Sequence, residues 1–335
     1  MSRNVVSMFL LGATGYIGGS VLAVLRERFP GLKITALVRS ETHFDAIRAT
    51  GITPIHGSFE NQALITEHSA RADVVLNAAD SDDLNLTLSI LRGMKQRYES
   101  GKPKGILIHT SGVAVFLDSG TTGVFDKNGK LWNDSEEDDI RSITSSMLHG
   151  HIDVPILNAG NEGYAHTYIV CPAAVVGPSL GPIGKSSFFV KAVVQMSLVN
   201  KRALYVGEGS NEFNIVHIDD VVDLYCRVFE LSTEEKGLQS FNPYARYFIA
   251  TSKSISWREI ATFAGASLYK RDILKRPEPL SVNLTDLPPY FAFLAASERI
   301  VAVRGKELGW APRDVSLERW FQANVDAVLE GLHVD

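Results

Sequence analysis

Along the first half of the chain, short apolar runs rich in β-branched residues alternate with longer stretches in which apolar residues return every three or four positions. Runs at residues 5–11, 33–38, 53–56, 73–78, 105–109 and 167–171 predict six strands. Ile17, Val21, Val24, Leu25 and Arg28, and later Leu84, Leu88, Leu91 and Met94, carry the helical spacing between them. Strand and helix repeat at about 20 to 35 residues, which predicts right-handed crossovers and an α/β fold with a doubly wound parallel sheet.

Beyond Pro178 the pattern loosens. Gly181-Pro182-Ile183-Gly184 reads as a loop and residues 186–200 as a helix. A strand over 214–218 leads into a helix expected to be capped by Asp219 or Asp220. From about Gly237 onward come a strand-like Tyr247-Phe248-Ile249 and an amphipathic segment over 257–268. The expected division is a sheet domain of residues 1–178 plus about 213–232, and a smaller lobe from 179–212 and 233–335.

Composition narrows the class without naming a reaction. The chain has 335 residues, 45% hydrophobic and 21% charged, so it is an ordinary globular protein with a large core. Lys plus Arg number 33 against 38 Asp plus Glu, a net charge of -5, and so nucleic acid is not an expected partner. Cys171 and Cys226 sit in apolar runs without metal or redox spacing and read as buried free thiols of a reducing compartment; no metal site is expected.

Arg3 ahead of an apolar run imitates a secretory leader, but the run is short and ends in Gly12-Ala13-Thr14-Gly15, which fits a buried first strand better. No apolar stretch approaches the ~20 residues of a membrane span. A cytoplasmic protein with no membrane partner is expected. The acidic run Asp134-Ser135-Glu136-Glu137-Asp138-Asp139 reads either as a solvated loop or as a lid.

The strongest chemical signal is Gly12-Ala13-Thr14-Gly15-Tyr16-Ile17-Gly18-Gly19, directly after the first strand and opening the first helix. Gly12 turns the chain, Gly15 lets backbone approach a pyrophosphate, and Gly18 lets helix and strand pack closely. The helix N-terminus offers free N–H groups and partial positive charge to phosphates. This predicts a dinucleotide site and makes the first domain dinucleotide-binding, with the second lobe left for substrate. The second strand ends in Leu37-Val38-Arg39-Ser40, with no acid where an NAD-selective site would hold the ribose 2′-hydroxyl. Arg39 can instead grip a 2′-phosphate, which points to NADP(H); the alternative is an exposed arginine after a strand.

With these residues, the chain resembles the extended and atypical short-chain dehydrogenase/reductase superfamily, the relatives of sugar-nucleotide epimerases and dehydratases. Further matches are Asn77-Ala78-Ala79, His109-Thr110-Ser111-Gly112, Cys171-Pro172-Ala173-Ala174-Val175-Val176-Gly177-Pro178, Val216-His217-Ile218-Asp219-Asp220-Val221 and Leu308-Gly309-Trp310-Ala311-Pro312. The resemblance implies that Gly57, Ser58 and Phe59 border an adenine and that Asn77, Ala78 and Ala79 lie on the ribose side. It places Thr110 near the cofactor and Pro172, Ala173 and Val175 against the nicotinamide. Ser58 stands where relatives often carry Asp.

The resemblance breaks at catalysis. Active relatives pair a tyrosine with a lysine four residues later, on the helix after the fifth strand, and a serine matched here by Ser111. The only such spacing here is Tyr98 to Lys102, on the wrong helix. Counting back from Pro172 by the family's distance lands near Ser145 and His149. Pro155 disfavours a continuous helix there, and Asp153 reads as the cap of a helix over 154–162. Substitute proton donors are His149, His151, Tyr164 and Lys185, histidine being able to donate near neutrality. Tyr168 reads as core.

Two readings stay open. One is an NADP(H)-dependent oxidoreductase, or an epimerase/dehydratase relative, acting on a small carbonyl or hydroxyl compound through Ser111 and a non-standard donor. The other is a catalytically inactive NADP(H)-sensing regulator. A homodimer is compatible with either.

Overall fold

The computed structural model describes residues 7–234, 242–314 and 316–332. Arg3, the start of the first predicted strand and the boundary near Gly237 lie outside these residues.

The central layer is a seven-stranded, wholly parallel sheet. Its strands are β1 (Ser7–Leu11), β2 (Lys33–Val38), β3 (Thr53–His56), β4 (Val74–Asn77), β5 (Gly105–Thr110), β7 (Ala165–Pro172) and β11 (Tyr247–Ala250). The order is β3-β2-β1-β4-β5-β7-β11, so the winding reverses between β1 and β4, where a doubly wound sheet opens its crevice. Apart from the edge strand β3, the strands are nearly continuous apolar runs because both faces are covered. In one layer α1 (Tyr16–Arg28) packs on α8 (Ile218–Thr233). In the other α4 (Leu84–Glu99) lies between α3 (Gln62–Arg71) and α6 (Gly150–Glu162). Cys171 and Cys226 are both buried free thiols.

After Pro172 the chain leaves this sheet for a second one, in which β8 (Ala174–Val176) runs parallel to β10 (Glu212–His217) and β12 (Lys253–Ser256) antiparallel to it. A separate apolar core forms there, with Val190 and Val194 of α7 (Phe188–Asn200), Trp257 and Ile260 of α9 (Trp257–Tyr269), and Phe321 and Val325 of α11 (Leu317–Leu332). Among the described residues no helix is long and apolar enough to cross a membrane.

Three expectations are corrected. The segment Tyr247–Ala250, assigned above to the lobe, is the edge strand of the main sheet: Tyr247 to Ala250 pair with Ile169 to Pro172, and all four residues are buried. The cap of α8 is His217, whose Nδ1 accepts the Asp219 amide at 3.2 Å, while Asp219 and Asp220 fall in the first turn. The acidic run is neither wholly solvated nor a lid. Asp134 is fully buried, and its carboxylate accepts the amides of Ile249, Val303 and Arg304 at 2.9, 2.7 and 3.1 Å. Glu137–Arg141 then form a short helix, α5. Burial pushes the Asp134 carboxyl up despite those donors, and the bonds tie the run to β11 through Ile249 and to the chain at Val303 and Arg304.

Candidate functional site

The glycine loop is shaped by contact with the switch-point strand. Gly12 has φ +92°, and a Cβ on it would lie 2.2 Å from the Ala78 carbonyl oxygen. A Cβ on Gly18 would lie 2.3 Å from the Gly12 oxygen. Gly15 differs: its amide donates to Gly12 at 2.8 Å, and a Cβ there would meet only that oxygen, at 3.1 Å. It is the N-cap of α1 and provides no side-chain cap, so the helix's first donors are left for a ligand. Thr14 and Ile17 are half-buried beside it, and the Tyr16 hydroxyl donates to the Gly177 carbonyl at 2.7 Å, joining this loop to the chain beyond β8.

Around that loop the predicted cofactor contacts divide. Arg39 is exposed at the end of β2, and the Ser40 hydroxyl bonds Thr42 at 2.7 Å. Ser58 is taken up locally, its amide donating to Asn61 Oδ1 at 2.7 Å and its hydroxyl accepting from the Glu60 amide. Asn77 is buried, bonded to His109 Nδ1 at 3.1 Å and to the Ala79 amide at 3.3 Å. Thr110 faces away, its hydroxyl against that of Tyr225 on α8. Pro172, Ala173 and Val175 form the passage between the two sheets, where the Ala173 amide donates to Ala250 at 2.9 Å. Uncapped donors, an open Gly15 and an exposed arginine on the second strand fit a dinucleotide.

At the carboxyl end of β5, Ser111 is nearly buried and its hydroxyl donates to Asp153 Oδ2 at 2.8 Å. Tyr247 donates to the same oxygen at 2.8 Å. Asp153 is therefore not the expected cap. It lies inside α6, which runs through Pro155 because Ile152, Ile156, Leu157 and Ala159 bury the helix's inner face, at the cost of the one bond a residue-155 amide would have made. Burial pushes the Asp153 carboxyl up to about 6 against the pull of its two donors. His109, buried beyond Asn77 with no partner for Nε2 among the described residues, is pushed down to about 3 by burial.

His149 caps α6 with a left-handed backbone, φ 57°. Its Nδ1 is 2.8 Å from Asp82 Oδ1, and its Nε2 would be 2.9 Å from a Cβ on Gly112, the residue after Ser111. His151 is turned to the Asp82 backbone carbonyl, 3.1 Å from Nε2, so that nitrogen is occupied. Two other proposed donors are misplaced. Tyr164 immediately precedes Ala165, which pairs with Gly105 at the start of β5, whereas Ser111 follows the end of β5; the two lie across the sheet, about 20 Å apart. Burial pushes the Tyr164 hydroxyl up to about 12, and its ring packs under Lys95. Lys185 is exposed in the loop before α7.

A profile of the NAD dependent epimerase/dehydratase family matches residues 8–242. The chain belongs to that family. The oxidase UcsJ of Acremonium sp is 25% identical over 236 residues, 68% of this chain and 67% of its own. An uncharacterised protein of Schizosaccharomyces pombe is 24% identical over 92% of this chain and 96% of its own. A ketoreductase of Stigmatella aurantiaca that acts on a farnesyl-dihydroquinoline oxide is 38% identical over 71 residues, 21% of each chain. The fold is shared with the PbgP3 protein of Burkholderia pseudomallei, at TM-score 0.67 and 17% identity over 98% of both chains. It is shared also with the UDP-glucose 4-epimerase of Thermotoga maritima, at 0.62 and 16% over 97% and 99%.

Within this family member, α6 contains neither tyrosine nor lysine. His149 at the N-cap and Asp153 in the first turn of α6 face Gly112 and Ser111 respectively. Sequence reasoning missed Asp153, Asp82 and Tyr247; the His-x-x-x-Asp spacing was the available signal for the first.

Proposed function

We propose that this protein is an NADP(H)-dependent reductase of small carbonyl compounds in which His149 gives the proton. The observation that supports this most is the His149 imidazole, held by Asp82 from the β4–α4 loop with its far nitrogen against the turn after Ser111. A non-glycine residue in left-handed backbone costs energy and is concentrated at functional sites. Carbonyl reduction needs a hydride and a proton, and a nicotinamide dinucleotide, when bound, would supply the hydride. Asp82 accepts from Nδ1, which leaves Nε2 to carry and give the proton. Ser111 stands beside it at the carboxyl end of the strand, where the family places its polarising hydroxyl. The names oxidase and ketoreductase among the relatives support redox chemistry.

With NADPH and a panel of aldehydes and ketones, His149→Gln is expected to lower kcat by about 10²- to 10⁴-fold while leaving NADPH affinity in place. No turnover of the panel by the wild type, or an unaffected variant, sinks the reading and favours an NADP(H)-sensing regulator. That second reading draws on the α6 sequence without tyrosine or lysine.

Arg39 sets the cofactor choice. Its contact with a 2′-phosphate should favour NADPH over NADH by about 1.5 to 3 kcal/mol, and Arg39→Ala should erase the difference. Calorimetric titration of both cofactors into both proteins checks this; equal affinities in the wild type contradict it.

A further inference from the structure

The Ser111 hydroxyl has one hydrogen, and the structure directs it inward to Asp153 Oδ2 rather than toward the crevice. A serine so engaged can accept a hydrogen bond from a ligand but has nothing to donate to a carbonyl oxygen. The partner is a carboxylate with no solvent contact, sharing Oδ2 between Ser111 and Tyr247, while Oδ1 is buried with no partner among the described residues. The structure therefore places a proton-accepting group directly behind Ser111, on the helix that follows the N-cap residue His149.

We propose that Asp153 is the positioning residue for Ser111: ionised, it holds the serine hydrogen inward, and on taking a proton it releases that hydrogen to face the crevice. The inference rests on the reductase reading for its consequence, though not for its test. The proton's place follows from the partners. On Oδ1 it would be a buried donor without an acceptor, which is costly. On Oδ2 it is donated to Ser111 Oγ, and the serine's own hydrogen turns out, so that the hydrogen bond to Asp153 is kept with its direction reversed. No bond to carbon is made or broken, and the proton comes from solvent.

The groups facing Asp153 from each packed element are Ser111 after β5, Cys171 of β7, Tyr247 of β11, and His149 and His151 at the start of α6. Cys171 and Tyr247 both have their pKa values pushed up by burial, and so hold their protons across neutral pH. Protonated His149 and His151 lower the Asp153 pKa, but burial outweighs them and leaves it near 6. The switch therefore falls where Asp153 changes state and its two nearest neighbours do not.

Infrared titration of the cofactor-free protein carrying isotopically labelled aspartate tests the coupling. The wild type should show a buried carboxylic acid band that is lost as pH rises through about 6. Asp153→Asn should lack the band, and Ser111→Ala and Tyr247→Phe, each removing a donor to the carboxylate, should move its loss to higher pH. A band absent from the wild type, or unmoved by Ser111→Ala, overturns the proposal; Tyr247→Phe serves the same purpose should Asp153→Asn fail to fold. The pH profile of NADPH oxidation with benzaldehyde as the carbonyl probe adds the consequence. In the His149→Gln background, where the other proton donor is gone, residual turnover should still fall about tenfold per pH unit above the infrared midpoint, and adding Asp153→Asn should flatten that limb. A His149→Gln protein that turns over with no such limb also overturns the proposal. If the band behaves as expected and no carbonyl is reduced at any pH, the reductase reading fails while the coupling of Asp153 to Ser111 stands.

Discussion

Gly18→Ala is expected to cost the fold at least about 2 kcal/mol, whereas Gly15→Val leaves a cooperative melt and loses the dinucleotide. The two glycines stand three residues apart but meet different surroundings. The new methyl at 18 would sit 2.3 Å from a backbone oxygen of Gly12 and 3.2 Å from the Ala78 methyl. Neither neighbour is the end of a flexible side chain, so α1 must move off the sheet to admit it. At Gly15 the backbone lies at φ -86° and ψ 173°, open to any residue, and an added Cβ would meet only the Gly12 oxygen, at 3.1 Å, beside the uncapped start of α1. Valine there is a poor cap, worth about 1 kcal/mol of stability, but its branches fill the space a diphosphate would use. Calorimetric melting and titration with NADPH separate the effects; Gly15→Val binding normally, or Gly18→Ala melting with the wild type, would show that the loop is misread.

Stability should fall as pH rises from about 4.5 to about 8, and Glu298→Gln should remove much of that slope. Glu298 is buried, with Oε2 accepting the Asn214 amide at 3.1 Å and Oε1 without a partner among the described residues. Burial pushes its carboxyl from 4.5 up to about 8. Below 4.5 folded and unfolded chains both hold the proton and the stabilising effect is complete. Between the two values the unfolded chain gives up its proton and the folded chain does not, so stability is lost with each pH step; above about 8 both are ionised and the loss is complete. At about 1.4 kcal/mol per unit the whole interval amounts to as much as about 5 kcal/mol, of which about 3 falls between pH 6 and 8. Glutamine keeps the acceptor and cannot ionise. Its melting temperature relative to wild type should therefore climb by on the order of 5 °C between pH 6 and pH 9. A difference that stays constant with pH would remove Glu298 as the cause.

What was legible in the sequence is what is local. The strands over 33–38 and 53–56, the helical spacing of α1 and the glycine loop follow from periodicities of two and 3.6 and from a backbone that only glycine accepts easily, so neighbours in the chain suffice to read them. Asp153 was not legible because a short acid near a helix start reads as a cap, while its real partners Ser111 and Tyr247 are 42 and 94 residues distant. β11 was legible as a strand but not as part of this sheet, since its pairing with β7 spans a whole lobe of intervening chain. Tyr164 was mistaken for a reachable donor because closeness along the chain to α6 hides the full length of β7 that separates it from Ser111.

Asp134 has a consequence at the border of the sheet. A parallel sheet ends in two strands whose outward amides invite pairing with a strand of another molecule. On one border the Ile249 amide of β11 is already bonded to the Asp134 carboxylate, and a loop lies where an incoming strand would dock. On the other, β3 is four residues long and includes Pro54, which has no amide hydrogen to offer. A buried carboxylate at one border and a proline at the other each take away an amide that an eighth strand would need, which works against the sheet serving as a template for its own aggregation.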